Sequence, residues 1–177
     1  MKRMGLLICA GAMMLSAGCD DDGPTSPSNP NQVIFTAALS ASNEVPPIAN
    51  AESSARGNAQ ITFDLTRDSG GAITAATVTW AFTLSDFPAN SAIQAGHIHV
   101  GGAGVAGGVQ INTGLAPTAR LELPDGRLNT HVITTTATAA ELGRIQAVLD
   151  NPAGYYFNLH SPVNPGGAVR GQLTRIQ

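Results

Sequence analysis

The chain of 177 residues is almost without lysine: of its nine basic residues only Lys2 is one, and the others are arginines. Schiff-base catalysis and a phosphate-loop lysine are therefore excluded past the extreme N-terminus. Cysteine is nearly as scarce, with Cys9 inside an apolar run and Cys19 just behind it. A domain that starts later has no disulfide, no thiolate metal ligand and no cysteine nucleophile. Charged residues make up 12% of the chain and aromatics 5%. Past residue 18, seven arginines face twelve acids, and three of those acids are Asp20, Asp21 and Asp22, which leaves the remainder near −2. A basic footprint for nucleic acid or anionic lipid is missing. The apolar run at residues 4–15 is too short to cross a bilayer as a stable helix.

That run, with Lys2 and Arg3 ahead of it, reads as a secretory leader. Ser16-Ala17-Gly18-Cys19 then puts small residues before a cysteine and is similar to a bacterial lipoprotein processing site, although Ser16 stands where leucine is usual. On this reading residues 1–18 are removed and Cys19 is lipidated. Its several acyl chains would hold the protein to the membrane without a transmembrane helix. The location expected is the bacterial cell envelope, on the periplasmic face or the cell surface. The other reading is an ordinary signal peptide that happens to contain a cysteine. Residues 19–32 carry three prolines, three adjacent acids and no large apolar residue. Such a segment has too little apolar surface to fold and reads as a disordered tether.

Residues 33–177 read as one all-β domain. Ala59-Gln60-Ile61-Thr62-Phe63-Asp64-Leu65 alternates with period two, and Val78, Trp80, Phe82 and Leu84 share a face of the next segment. Asp68-Ser69-Gly70-Gly71 and Pro124-Asp125-Gly126 are turns. About nine short strands in this style predict an antiparallel β-sandwich or Greek-key barrel. One helix interrupts them at about 139–150. Thr138-Ala139-Ala140-Glu141 is a capping box, and Leu142, Ile145 and Leu149 form an apolar stripe expected to cover an open edge or end. The glycine-rich residues 101–108 lack a following Lys-Ser/Thr and lead into a strand, so a phosphate loop is excluded. A mobile loop beside the histidines is expected instead.

Chemistry concentrates in three strands. In Gly96-His97-Ile98-His99-Val100, Ile98 and Val100 take one face and the two imidazoles the other. In Tyr156-Phe157-Asn158-Leu159-His160 the inward pair is Phe157 and Leu159, and in Val169-Arg170-Gly171-Gln172-Leu173 it is Val169 and Leu173. If the strands are neighbours, His97, His99 and His160 meet on one polar patch. Together with Glu44-Val45-Pro46-Pro47 and Gly166-Gly167 these segments, in this order, resemble the CHRD domain, the module first described in chordin. The likeness covers residues 33–173. It implies an all-β extracellular module with no settled general activity. The His-x-His piece and Gly-Gly-x-x-Arg also resemble, locally, copper–zinc superoxide dismutase. That family's zinc-loop cluster and disulfide are absent here, which argues against dismutase activity.

Two readings of the histidines stay open. His-x-His on a strand puts both rings on one face, able to share zinc or copper with His160, while Asn158 and Glu44 support from behind. Alternatively the rings hydrogen-bond to loop backbone, Asn158 or Glu44 and brace the fold. Arg170 is either an anion-binding group or a fork holding Glu44 bidentately, the second being favoured by the tight Gly166-Gly167 approach. His131, on a separate Thr-rich strand, reads as a surface residue. Neither a nucleophile elbow nor a carboxylate dyad announces itself. The expectation is therefore a non-catalytic binding or scaffolding module, anchored to the membrane, for a protein or envelope ligand and not for nucleic acid. The alternative is a metal-binding envelope protein.

Overall fold

The computed structural model describes residues 29–177; the leader, Cys19 and most of the tether lie outside the described residues. Eleven strands and one helix follow in order: β1 (Gln32–Ser40), β2 (Arg56–Arg67), β3 (Ile73–Ser85), β4 (Ser91–Ile93), β5 (Ala95–Val100), β6 (Val109–Asn112), β7 (Leu121–Leu123), β8 (Leu128–Thr136), α1 (Ala139–Asp150), β9 (Tyr155–His160), β10 (Val169–Gln172) and β11 (Thr174–Arg175). The expected nine strands are all there. The two extra ones, β4 and β11, are too short to show an alternation. The first strand begins at Gln32, one residue inside the expected tether, after a turn in which Gln32 N–H donates to Asn29 O.

Nine strands make one antiparallel sheet in the order β6-β5-β9-β10-β1-β2-β3-β8, with β11 also on β1, while β4 and β7 form a separate ribbon. The fold is all-β and antiparallel, as the expected sandwich or barrel requires, and its main sheet is strongly curled into a half-barrel. Curling brings distant strands together. Trp80 on β3 and Phe157 on β9 would lie roughly 19 Å apart in a flat sheet at about 4.8 Å per strand. Their rings stack at 5.6 Å. Phe82 joins Phe157 at 6.2 Å, and Phe35 meets Phe63 edge-on at 5.9 Å. The buried indole N–H of Trp80 donates to Thr135 Oγ1 at 3.0 Å, which settles its one polar requirement.

The helix packs against β3 and β6, strands near opposite ends of the sheet. It buries Ile145, Val148 and Leu149, with Leu142 partly buried against the core. Its place between the two edges is the covering role that the apolar stripe implied. The expected capping box is present and reaches further. The Glu141 carboxylate accepts from Thr138 N–H and Thr138 Oγ1, and its second oxygen accepts from Asn112 N–H of β6 at 3.1 Å. One residue therefore starts the helix and ties it to the sheet edge.

Candidate metal centre

Register places the site. In an antiparallel sheet, residues directly opposite each other share a face. Arg170 on β10 pairs with Asn158 on β9, and Asn158 pairs with His97 on β5; one step along, Gln172 pairs with Tyr156, and Tyr156 with His99. Two rows thus run across three strands on the face turned away from Phe157 and Leu159. His160, two residues beyond Asn158, lies on the same face. The sequence alternation gave this arrangement correctly for every one of these side chains. Val100 is the exception: it sits at the strand end, past an irregularity in the β5–β6 register, and is exposed.

Outward does not mean wet. His99, His160, Asn158, Tyr156 and Arg170 are all buried, Arg170 and Asn158 to 2% exposure. Three loops cover them. The first brings Glu44, which is itself buried. The second is the glycine-rich stretch, held where a mobile loop was expected: Arg170 Nη2 donates to Gly102 O, Gln172 Nε2 to Gly101 O, and Gly107 N–H to the Tyr156 hydroxyl. The third, residues 161–168, carries Gly167 at a φ of 142°. A side chain at Gly167 would strike the Glu44 carboxylate and the Asn158 amide, so the Gly166-Gly167 signature marks a close approach.

The three histidines converge. One ligand nitrogen from each of His97, His99 and His160 lies within 4.8 Å of the others. Hydrogen bonds fix how the rings present themselves. Nδ1 of His99 is 2.9 Å from Gly107 O, and Nδ1 of His160 is 3.0 Å from Pro165 O. A carbonyl only accepts, so both Nδ1 atoms carry the proton and both Nε2 atoms offer a lone pair. The His160 Nε2 accepts from His97 Nδ1 at 3.0 Å. The His99 Nε2 is buried with no partner.

Burial holds all three rings neutral. It pushes His97 down to about 4, with the neighbouring His160 and His99 adding to the effect. Burial lowers His99 as well, against the Gly107 carbonyl, and nearby Arg170 adds to the lowering. His160 is lowered by burial despite its bond to Pro165 O. Neutral imidazole is the form that binds metals.

Glu44 and Arg170 do not form the expected fork; no carboxylate oxygen lies within 4.0 Å of the guanidinium among the described residues. Arg170 instead lies flat on the Tyr156 ring, its central carbon 3.6 Å from the centroid, while His99 stacks on the same ring at 5.0 Å. Glu44 is hydrogen-bonded by the Asn158 side chain. Burial raises it to about 7, outweighing Arg170 and Asn158. His131, on β8, stands apart, half-buried against the ring of Phe82 on β3. Cys19 lies outside the described residues.

A family model described as CHRD domain matches residues 35–173. The chain belongs to the CHRD domain family. No curated protein and no solved structure matches it. This CHRD domain also contains a buried acid that the sequence did not flag. Glu52 accepts from Ser161 Oγ and Asn164 Nδ2, both at 2.6 Å, and so ties the first covering loop to the third. Glu52 lies in no periodic segment and no motif, and its partners are more than a hundred residues away. Nothing local marks it.

Proposed function

We propose that this CHRD domain is a non-catalytic binding module of the bacterial envelope, anchored through Cys19, whose histidine face takes a divalent transition metal ion such as zinc or copper. One observation supports the metal reading above the rest. Among the described residues, the buried side-chain atoms left without a hydrogen-bond partner are Glu44 Oε1, His99 Nε2 and Asn158 Oδ1. His99 and Asn158 lie on the histidine face, and Glu44 on the loop that covers it. Buried polar atoms are nearly always paired, so such a group calls for a missing partner. His99 Nε2 and Asn158 Oδ1 are acceptors, which suits a cation. His97, His99 and His160 supply three nitrogens, and the carbonyls of Gly107 and Pro165 play the orienting part that outer partners play around zinc.

The His97–His160 hydrogen bond would give way on loading, because the ion would take the His160 Nε2 lone pair that the bond uses. Metal content of the protein, purified without an affinity tag, tests the reading. Added Zn²⁺ or Cu²⁺ should raise the melting temperature of the full chain. His97→Ala and His160→Ala should each abolish that rise, whereas His131→Ala should keep it. A protein that carries no metal and shows no shift uses its histidines as a hydrogen-bonded brace, and the metal reading fails.

A further inference from the structure

Beside the histidines, on the other flank of Asn158, an open cleft of about 630 Å³ lies between the Glu44 loop and the glycine-rich loop. Its lining includes Arg170, Glu44, Ser42, Asn43, Gln172 and Thr174. The size is that of a site for a small organic ligand. Two features of its lining are unusual. Arg170 is a buried cation with no carboxylate within 4.0 Å among the described residues, although buried charges are normally paired. Glu44, more than nine-tenths buried, has an Oε1 with no partner.

We propose that this cleft binds a hydroxylated carboxylate of about monosaccharide size, an acidic sugar, with Arg170 pairing its carboxylate. The guanidinium is oriented for this by its stack on Tyr156 and by the bond from Nη2 to Gly102 O. Planar guanidinium groups pair with carboxylates more strongly than with neutral oxygens. Glu44 faces Arg170 from β10 and Asn158 from β9, with the neutral histidines behind. Burial holds it near half-protonated at neutral pH, and a protonated carboxyl donates to a ligand oxygen where an ionised one would repel it. The hydroxyls have polar partners at the mouth: Asn43, whose Nδ2 donates to Arg170 O at 3.0 Å, offers its amide oxygen, and Ser42 and Thr174 add hydroxyls. Ala103 and Val45 supply apolar walls.

Calorimetric titration of the full chain with glucuronate and with glucose tests this. Glucuronate should bind at least tenfold more tightly than glucose, equally in chelator-treated and zinc-loaded protein, because the cleft and the metal centre use different residues. Arg170→Gln should remove the preference for glucuronate. If that variant does not fold, Ala103→Trp, at an exposed loop position lining the cleft, should block binding and leave the fold intact. Glucuronate binding no tighter than glucose overturns the proposal. So does glucuronate binding that survives Ala103→Trp, or that needs zinc, since the ligand would then sit elsewhere or on the ion.

Discussion

A buried carboxyl group and three imidazoles, two buried and one half-buried, respond to acid in opposite senses, and both responses belong to single residues. Glu44 titrates near 4.5 when free and at about 7 in the fold. Its folded form holds a proton more tightly, so its contribution to stability is full below pH 4.5 and is lost as pH rises through 7. The histidines are displaced downward from 6.5. Their contribution is full above pH 6.5 and is lost as pH falls, for His97 towards about 4. Metal-free wild type should therefore show a melting temperature that peaks at mildly acidic to neutral pH. Glu44→Gln removes the alkaline limb, so the variant should match wild type near pH 4 and melt higher near pH 8. Parallel curves for the two proteins across pH 4–9 would contradict the burial argument. At this scale the sequence was informative about faces and silent about depth. Alternation told which side of the strand His99, Asn158 and Arg170 occupy. It did not tell that three loops close over that side, which is why a fork with Glu44 seemed the natural home for Arg170.

Among the elements, α1 was fully legible and its partner was not. Thr138 and Glu141 mark the start, Asn151-Pro152 the stop, and the apolar spacing the buried stripe; each is a signal within four residues. That the Glu141 carboxylate also holds Asn112 N–H of β6 depends on a contact 29 positions away, which no local pattern encodes. Asn112 is opposite His97, so the helix start and the metal centre are linked through one edge strand. Glu141→Ala should cost about 1–2 kcal/mol, the scale of a lost cap plus a backbone donor left unpaired. The fall in melting temperature should be about 3–6 °C for a domain of this size. Amide exchange at Asn112 should quicken along with the first helical turn. Exchange that quickens in the helix alone would show that the link to β6 is unimportant. The short strands β4 and β11 carry the opposite lesson: two or three residues have no period to read.

For the whole molecule, the fold class followed from repeated alternation and turn residues. The degree of curl did not, because a sandwich and a barrel need the same inward faces. Trp80 and Phe157 are inward in either case, and only their stacking across the core reveals the curl. Residues 29–177 contain no cysteine, so stability rests on that core alone. Reducing agent should leave the melting temperature unchanged. The proposed anchor is a separate matter from the fold. Cys19→Ala should abolish lipid labelling and release the protein from membranes, while its strand-rich circular dichroism stays as in wild type. Retention of the variant, with no lipid on wild type, would refute the anchor.

The sheet order has a consequence for the timing of folding. Strand β1, the first of the sheet in chain order, pairs on one side with β2 but on the other with β10 and β11, and Ile34 exchanges hydrogen bonds with Ile176 and Gln177. The half-barrel therefore cannot close until β10, β11 and residues 176–177 are available to β1. Until then β1 and β9 each present a bare strand edge. Contacts that span nearly the whole sequence form slowly, and open edges invite pairing with other chains. The sheet stays unfinished until β10 and β11 are in place, which makes loss of those strands a route to aggregation.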